Sequence, residues 1–463
     1  MTVAVKKGRE LELEIEKSVF GGQGLCRVEG MAVFVDGAVP GDRVLARVYK
    51  KKKTWAMART LEVLRPSPDR VEPPCPYAGY CGGCKWQHLE YSRQLEYKRL
   101  HVVESLAHIG QVRDVVVHET LPSDKAYGYR NKMEFSCSDR RWLLPGELGV
   151  EGVDKAFALG LHVPGTFDKV LDTSACLLMP DKGNEIMADV RAFMLESGLP
   201  AYGLKSHEGF WRFLVLRHSV ARDQWMVNIV TSEDRCDDLM PLARLLREKH
   251  GVVSVVCNVS GKKAAVAVGD FEKVLAGEAA IRDSIGRFEF AISANSFFQT
   301  NTSQAERLYR TVSEYAGLTG AERVLDLYTG TGSIAIWLAE NASEVMGIEI
   351  NEGAIEDAWK NAADNNIANC RFMAGDVRAM LRENPVTADV VVCDPPRSGM
   401  HPRAVTRVLE IGAPRVVYVS CNPTTMSRDL ALLAEMYDVA EVQPVDMFPH
   451  TYHVEAVARL VKT

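Results

Sequence analysis

No run of eighteen consecutive apolar residues occurs in the 463-residue chain, so no membrane-spanning helix is expected. The opening "MTVAVKKGRELELEIEK" lacks the uninterrupted apolar stretch of a secretory leader. Internal repeats and low-complexity tracts are missing too, which argues against solenoids and disordered linkers. The glycine-rich turn lacks the G-K-[ST] of a phosphate-cradling P-loop. A general basic excess is also missing: the net charge of −6 argues against binding nucleic acid over the whole surface. Disulfide patterning is not evident. Eleven cysteines, an odd number without a leader, point to reduced thiols or metal ligands in a cytoplasmic protein.

What is present is uneven. Residues 1–65 carry thirteen Lys and Arg against eight Asp and Glu, a net of +5 that leaves −11 on the rest. A basic module attached to a more acidic body is implied. The length suits two to four domains, and a 47% hydrophobic composition supplies their cores. "ELELEIEK", "MAVFVDG", "RVLARVYK" and "WAMARTLEVL", separated by "GGQG" and "VPGD", predict four or five short strands of a small oligonucleotide-binding-type barrel over 1–66. The proline-rich "RPSPDRVEPPCP" links it to a mixed α+β central unit, 67–292. A helix near 93–110 in that unit is expected to pack on the next domain. "YGYRNKMEFS", "FALGLHV", "FLVLRHSV" and "WMVNIVT" read as its strands. From about Ser293 to 463, strand and helix alternate, which predicts an α/β, doubly wound, mostly parallel sheet.

"VLDLYTGTGSIAIWLA" combines a buried strand, a tight turn and a helix, with Gly330, Gly332 and Ala335 satisfying G-x-G-x-x-A. Nineteen residues after Gly330 stands Glu349, placed to accept hydrogen bonds from a ribose diol. A dinucleotide, S-adenosylmethionine and a purely structural turn are the competing explanations. "VVVCDPPRSG" favours the methyl donor, because Asp394 and two prolines close a later strand where methyltransferases hold a target base. A dehydrogenase needs no such element.

"RVVYVSCNPTT" then places Cys421 just past a buried strand, Val416–Ser420. A packing thiol belongs inside the apolar run, whereas open α/β sheets bind ligands at the carboxyl ends of their strands. Uracil C5 is a poor nucleophile. A thiolate adding to C6 makes C5 an enolate-like carbon able to take a methyl group, and a base must then remove the C5 proton. Glu455, the acid in the apolar final strand of "FPHTYHVEAVARL", is the candidate base, since a buried unpaired carboxylate needs a reason. Cys26, Cys137, Cys236, Cys257, Cys370 and Cys393 read as packing thiols.

A second constellation, "CPYAGYCGGC", spaces Cys75, Cys81 and Cys84 as C-x5-C-x2-C. It needs a fourth ligand, and spacing alone accepts tetrahedral zinc or an iron–sulfur cluster.

"NSFFQTN" (Asn295–Asn301), "DLYTGTG" (Asp326–Gly332), "DPPR" (Asp394–Arg397), "SCNP" (Ser420–Pro423) and "HVE" (His453–Glu455) occur in this order. Together they strongly resemble the RNA uracil-C5 methyltransferase family, over nearly the whole chain. The resemblance implies Cys421 as nucleophile and Glu455 as proton acceptor. It implies that Gln299, Tyr328, Glu349 and Asp376 contact S-adenosylmethionine, with Asp394 between cofactor and uracil. It further implies a 4Fe–4S cluster on Cys75, Cys81, Cys84 and Cys176, structural or RNA-facing rather than redox-catalytic. Ser333 departs from the pattern, because members often carry Asn there. "GGQGLCRVEGMAVFVDGAVPGDRVLARV" resembles a TRAM domain, an RNA-binding barrel.

Lys50–Lys53 beside Trp55 supply phosphate contacts and a stacking ring, or else a solvated basic loop. Arg130 and Lys132 of "YRNKMEF" are further candidates for RNA. Phe297 and Phe298 either stack on a flipped base or pack a domain interface. The expected partner is 23S rRNA, with tRNA as the alternative, and the expected state is a monomer. A radical methylthiotransferase also joins a TRAM module to a cluster, but it uses C-x3-C-x2-C and needs no glycine-turn domain. A 5-methylcytidine enzyme calls for two cysteines at separate strand ends. An RNA-binding scaffold would have a broken site, whereas every expected role here is filled.

Overall fold

The computed structural model describes residues 5–463, so the first four residues of the run read as lacking a leader lie outside it. Six strands open the chain: β1 Glu10–Glu14, β2 Lys17–Val19, β3 Gln23–Val28, β4 Met31–Asp36, β5 Arg43–Lys51 and β6 Trp55–Arg65. Leu11 and Leu13 are buried while the intervening glutamates are exposed, so "ELELE" obeys period-two alternation. Glu10 and Glu12 pair across the ladder with Arg47 and Arg43 at 2.5 and 2.6 Å. The order β1-β5-β6-β4-β3-β2 encloses one core of Val33, Val35, Val44, Ala56 and their neighbours. The strand beyond the four or five expected is β2, three residues long and too short to display a pattern.

Helix α1 (Tyr91–Ser105) and the short strand β7 (Val116–Val117) follow. The next eight strands, β8 Lys132–Ser138, β9 Arg141–Trp142, β10 Ala158–His162, β11 Val170–Asp172, β12 Trp211–Ser219, β13 Gln224–Thr231, β14 Ser254–Val259 and β15 Phe271–Gly277, make one mixed sheet. Helices α2 (Asp181–Glu196) and α3 (Met240–His250) cover its apolar face. Cys236 and Cys257, expected as separate packing thiols, are joined as a disulfide with Cα atoms 5.8 Å apart. The sheet brings together two thiols that are 21 residues apart, a proximity no local pattern reveals. A hairpin, β16 Ala280–Ile285 and β17 Phe288–Ser293, buries Ile281, Phe288, Phe290 and Ile292 in the core of the unit that follows.

Helix α4 (Thr302–Ala316) leads into the alternating segment: β18 Arg323–Leu327, α5 Ser333–Ala339, β19 Glu344–Glu349, α6 Glu352–Asp364, β20 Cys370–Ala374, α7 Val377–Glu383, β21 Val390–Cys393, α8 Pro402–Ile411, β22 Arg415–Ser420, α9 Pro423–Leu433, β23 Tyr437–Val445 and β24 Glu455–Lys462. The sheet order is β20-β19-β18-β21-β22-β24-β23-β7. The first five strands are parallel, β24 runs antiparallel to both β22 and β23, and β7 adds in parallel to the β23 edge. Continuous valine runs in β21 and β22 are buried, as a sheet covered on both faces requires. Helix α1 lies against this body: Val102 and Leu106 share a core with Val416 and Ala456. Its Lys98 is fully buried and donates to Asp446 at 2.5 Å. No helix among the described residues is long and apolar enough to cross a membrane.

Candidate active site

The glycine turn begins where β18 stops. Tyr328 has a left-handed φ of +65°, rare for an aromatic residue, followed by Gly330 at +55° and Gly332 at +78°. The two glycines serve different ends. A Cβ on Gly332 would meet Phe372 at 2.9 Å and Ala358 at 3.0 Å, so this position permits α5 to seat on its neighbours. A Cβ on Gly330 would meet nothing within 4 Å, so it faces open space where a ligand can approach the backbone. Glu349 anchors the turn by accepting from the amides of Gly330 (3.3 Å) and Asn351 (3.0 Å). The Gly375 amide donates to the Glu349 carbonyl at 2.8 Å, which draws in the segment bearing Asp376. Asp376 caps α7 and binds Arg378, whose guanidinium holds that carboxyl below its usual range. Tyr328, Glu349 and Asp376 therefore surround one turn. Ser333 shares a 2.7 Å hydrogen bond with Tyr309, so its hydroxyl is engaged inside the protein.

Gln299 rides on a loop gripped from the central sheet. Asn131 donates from its side chain to the Gln299 carbonyl and the Thr302 hydroxyl, each at 2.8 Å, and from its amide to the Thr300 carbonyl at 2.9 Å. Buried Arg217 donates to the carbonyls of Ala294 and Ser296. Phe298 is buried in the core, so it is a packing residue, and Phe297 is 65% exposed.

Four ionisable groups meet at the carboxyl ends of β18, β21 and β22 and the start of β24. The β22–β24 ladder ends on the Ser420–Ala456 pair, with Cys421 directly after Ser420 and Glu455 directly before Ala456. Asp394, just beyond β21, donates its amide to the Leu327 carbonyl at 3.2 Å. Burial pushes the Asp394 carboxyl up to about 6. Burial, and then the charge of Asp394, push Glu455 up to about 8. Burial first, then Glu455 and Asp394, push the Cys421 thiol up to about 12, with Arg397 opposing them. Asp326, fully buried in β18, accepts from Thr329 at 2.5 Å, and its other oxygen lacks a partner among the described residues. Burial pushes it up to about 7. The turn after Cys421 is tied to the "DPPR" segment: Asn422 and Thr425 side chains each donate to the Arg397 carbonyl at 3.2 Å.

Cys75, Cys81, Cys84 and Cys176 line one cavity, with Leu161, Leu177 and Leu178 as apolar walls. All four are free thiols. No group of three or more His, Cys, Asp or Glu residues among the described residues is arranged to hold a metal ion. The thiols thus border a shared space without closing on one ion position.

Sequence reasoning missed Asp326, although the test that found Glu455, an acid within an apolar strand, applies equally to "VLDL". It also missed Asn131 and Arg217 as loop clamps, since their partners lie 77 to 171 residues away.

A parallel sheet with a glycine turn after its central strand, an acid ending the next strand and a basic β-module ahead of it defines a methyltransferase of the S-adenosylmethionine-dependent class. The comparisons narrow the class. Residues 230–463 match the family model described as tRNA (Uracil-5-)-methyltransferase, and residues 4–61 match the TRAM domain. Proteins named uncharacterized RNA methyltransferases are similar over almost their full lengths. The one from Chlorobaculum tepidum is 43% identical (98% of this chain, 97% of that protein), and the one from Porphyromonas gingivalis is 40% identical (97% and 99%). The crystal structure of Pyrococcus abyssi tRNA (uracil-54, C5)-methyltransferase with S-adenosyl-L-homocysteine is 32% identical, with a TM-score of 0.76, covering 97% of this chain and 100% of that one. The chain belongs to the tRNA (uracil-5-)-methyltransferase family.

Proposed function

We propose that this protein methylates C5 of a uridine in RNA, with Cys421 as nucleophile and Glu455 as proton acceptor. The observation carrying this reading is that both residues flank the terminal Ser420–Ala456 pair of the β22–β24 ladder, near enough for the charge of Glu455 to reach the Cys421 thiol, at the strand ends where this fold binds ligands. The Cys421 thiolate adds to C6, forming an S–C6 bond and shifting the electron pair onto C5. C5 then takes the methyl group as the donor's methyl–sulfur bond breaks, its electron pair leaving on what becomes the thioether sulfur. Glu455 removes the C5 proton, the electrons return to C5–C6, and the S–C6 bond breaks. With its pKa raised to about 8, the Glu455 carboxyl must be ionised before it accepts that proton. S-adenosylmethionine, when bound, supplies the electrophilic methyl and a positive sulfonium that favours ionisation of both groups. The open face of Gly330 admits it, Glu349 holds its ribose diol, and Tyr328, Asp376 and Gln299 complete its binding. Asp394 separates it from the uracil.

Cys75, Cys81, Cys84 and Cys176 hold a 4Fe–4S cluster in this proposal, since four free thiols around one cavity match the donor set such a cluster uses. Its work is to fasten the 75–84 loop to the 173–178 segment. The N-terminal module grips RNA through Lys50–Lys53, where Lys50 lies 5.3 Å over the exposed side of the Trp55 ring. We infer 23S rRNA as the RNA, from the resemblance of a TRAM module with a cluster to the rRNA branch. The printed substrate of the Pyrococcus abyssi structure favours tRNA as the second reading.

RNA carrying 5-fluorouridine tests the mechanism, because fluorine at C5 does not leave as a proton and the Cys421 adduct persists. Wild type should give a denaturant-stable protein–RNA band that Cys421→Ala does not. No band from wild type on either RNA would overturn the reading.

A further inference from the structure

Beside the site, outside the groups already assigned, Lys85 and Arg397 from two segments contact one aromatic stack, and the charge of Arg130 from a third reaches it. Lys85, from the cysteine-rich loop, lies 5.2 Å over the ring of Tyr452. Tyr452 packs on His453 with ring centroids 4.1 Å apart. Arg397 donates to the Tyr452 hydroxyl at 3.2 Å and lies 3.4 Å from the His453 Nδ1. The charge of Arg130 also reaches His453, which burial and these cations hold down to about 4, so the imidazole is neutral at physiological pH. Uncharged and bonded to Arg397, it is an acceptor rather than a fourth cation.

The three charges are left over by the fold. Lys85 donates to the Gly21 carbonyl at 3.1 Å, and Arg130 donates to the Lys132 carbonyl at 2.9 Å. Among the described residues, no carboxylate lies within ion-pair distance of Lys85, Arg130 or Arg397, whereas Arg93 and Arg428 each have one. Cations gathered without an ion-pair partner repel one another, a cost that a bound anion offsets. Position identifies the anion. Arg397 is stitched through its carbonyl to the turn bearing Cys421, and His453 lies two residues before Glu455.

We propose that Lys85, Arg130 and Arg397 form a phosphate clamp that grips the RNA backbone beside the reacting uridine, with Tyr452 and His453 as its floor. The clamp rests on the reading of this site as an RNA uracil-C5 methyltransferase. It joins the N-terminal module, the cysteine-rich loop and the catalytic strands in one RNA-facing rim: Lys85 meets Gly21, and the Lys85 and Trp86 amides both donate to the His450 carbonyl at 3.0 Å.

The test uses the full-length protein with an unmodified tRNA transcript and unmodified 23S rRNA fragments, following whichever the wild type methylates. Lys85→Gln and Arg397→Gln should each weaken RNA binding about tenfold and reduce the slope of log affinity against log salt by about one. S-adenosylhomocysteine affinity should stay unchanged. Arg397→Lys should recover most of the loss, because a phosphate accepts a point charge. An unchanged salt slope in the double variant would overturn the clamp. If a variant loses S-adenosylhomocysteine binding, the wild type is instead assayed on RNA with methylphosphonate linkages flanking the methylated uridine, where unchanged affinity would overturn it. Wild-type methylation with no charge effect defeats the clamp alone. Absence of wild-type methylation defeats the underlying reading.

Discussion

Cys421 directly follows Ser420 and Glu455 directly precedes Ala456, the pair that ends the antiparallel β22–β24 ladder, so a thiol and a carboxyl from segments 34 residues apart come to one strand end, where the charge of Glu455 reaches the thiol. Their proximity suits two groups acting on one base. Burial raises the pKa of both, the thiol to about 12 and the carboxyl to about 8.

Cys421→Ala should abolish methylation and the adduct, with a fall in kcat of at least about 10⁴-fold, while cofactor affinity persists. Comparing product formation with S-adenosylhomocysteine binding checks both. Full activity in that variant would remove the thiol from the mechanism.

Glu455→Gln should still form the adduct and transfer the methyl group, then stall, because no group accepts the C5 proton. Adduct accumulation on unmodified RNA is the readout, and normal turnover would contradict the assignment. A stability effect accompanies it. The folded-state pKa near 8 exceeds the ordinary 4.5, so between these values the unfolded chain has released a proton that the folded chain keeps. Stability therefore falls as pH rises through this window and levels off above about 8. Gln lacks that loss, so the thermal midpoint of the variant should gain on wild type by a few degrees from pH 5 to 8. A gap independent of pH would show that Glu455 ionises normally.

Gly330→Ala and Gly332→Ala should part company. At Gly332 the new methyl collides with Phe372 and Ala358 in a left-handed backbone, costing about 2 kcal/mol or more of stability. At Gly330 the methyl enters open space, so cofactor affinity should fall more than stability. Thermal midpoints and S-adenosylhomocysteine titrations of the two variants distinguish them. Equal effects would contradict the division of roles.

Much of this arrangement was legible in local sequence, because glycine turns and strand ends are encoded within a dozen residues. Gly330, Glu349, Asp394, Cys421 and Glu455 were each found from neighbours alone. The strands β20 and β23 and the helix α7 were not, since "CRFMA" is too short and "YDVAEVQPV" too mixed to declare a pattern. Long-range pairings were invisible. Asn131 clamping the Gln299 loop, Lys98 buried against Asp446, and the Cys236–Cys257 disulfide all depend on tertiary proximity. The resemblance supplied Cys176 as the fourth thiol, and the structure places it on the cavity that Cys75, Cys81 and Cys84 border.

Asn131→Ala should loosen the 295–301 loop, raising KM for S-adenosylmethionine about tenfold with little change in RNA affinity, since Asn131 makes two hydrogen bonds to that loop and a third to Thr302 just after it. Unchanged KM would show that the loop holds its shape without the clamp.

Cys81→Ser should lower iron content and thermal stability together, measured by metal analysis of anaerobically purified protein. Four irons retained would remove Cys81 as a ligand, and zinc in place of iron would redefine the site.

The central claim is the reaction itself. The direct measurement is methyl transfer from labelled S-adenosylmethionine to an unmodified tRNA transcript and unmodified 23S rRNA fragments, followed by digestion to nucleosides. Label in 5-methyluridine is the expected result, with rRNA as the RNA that carries it. Label in tRNA alone would keep the chemistry and change the substrate. Label in 5-methylcytidine, or in neither RNA, would contradict the account.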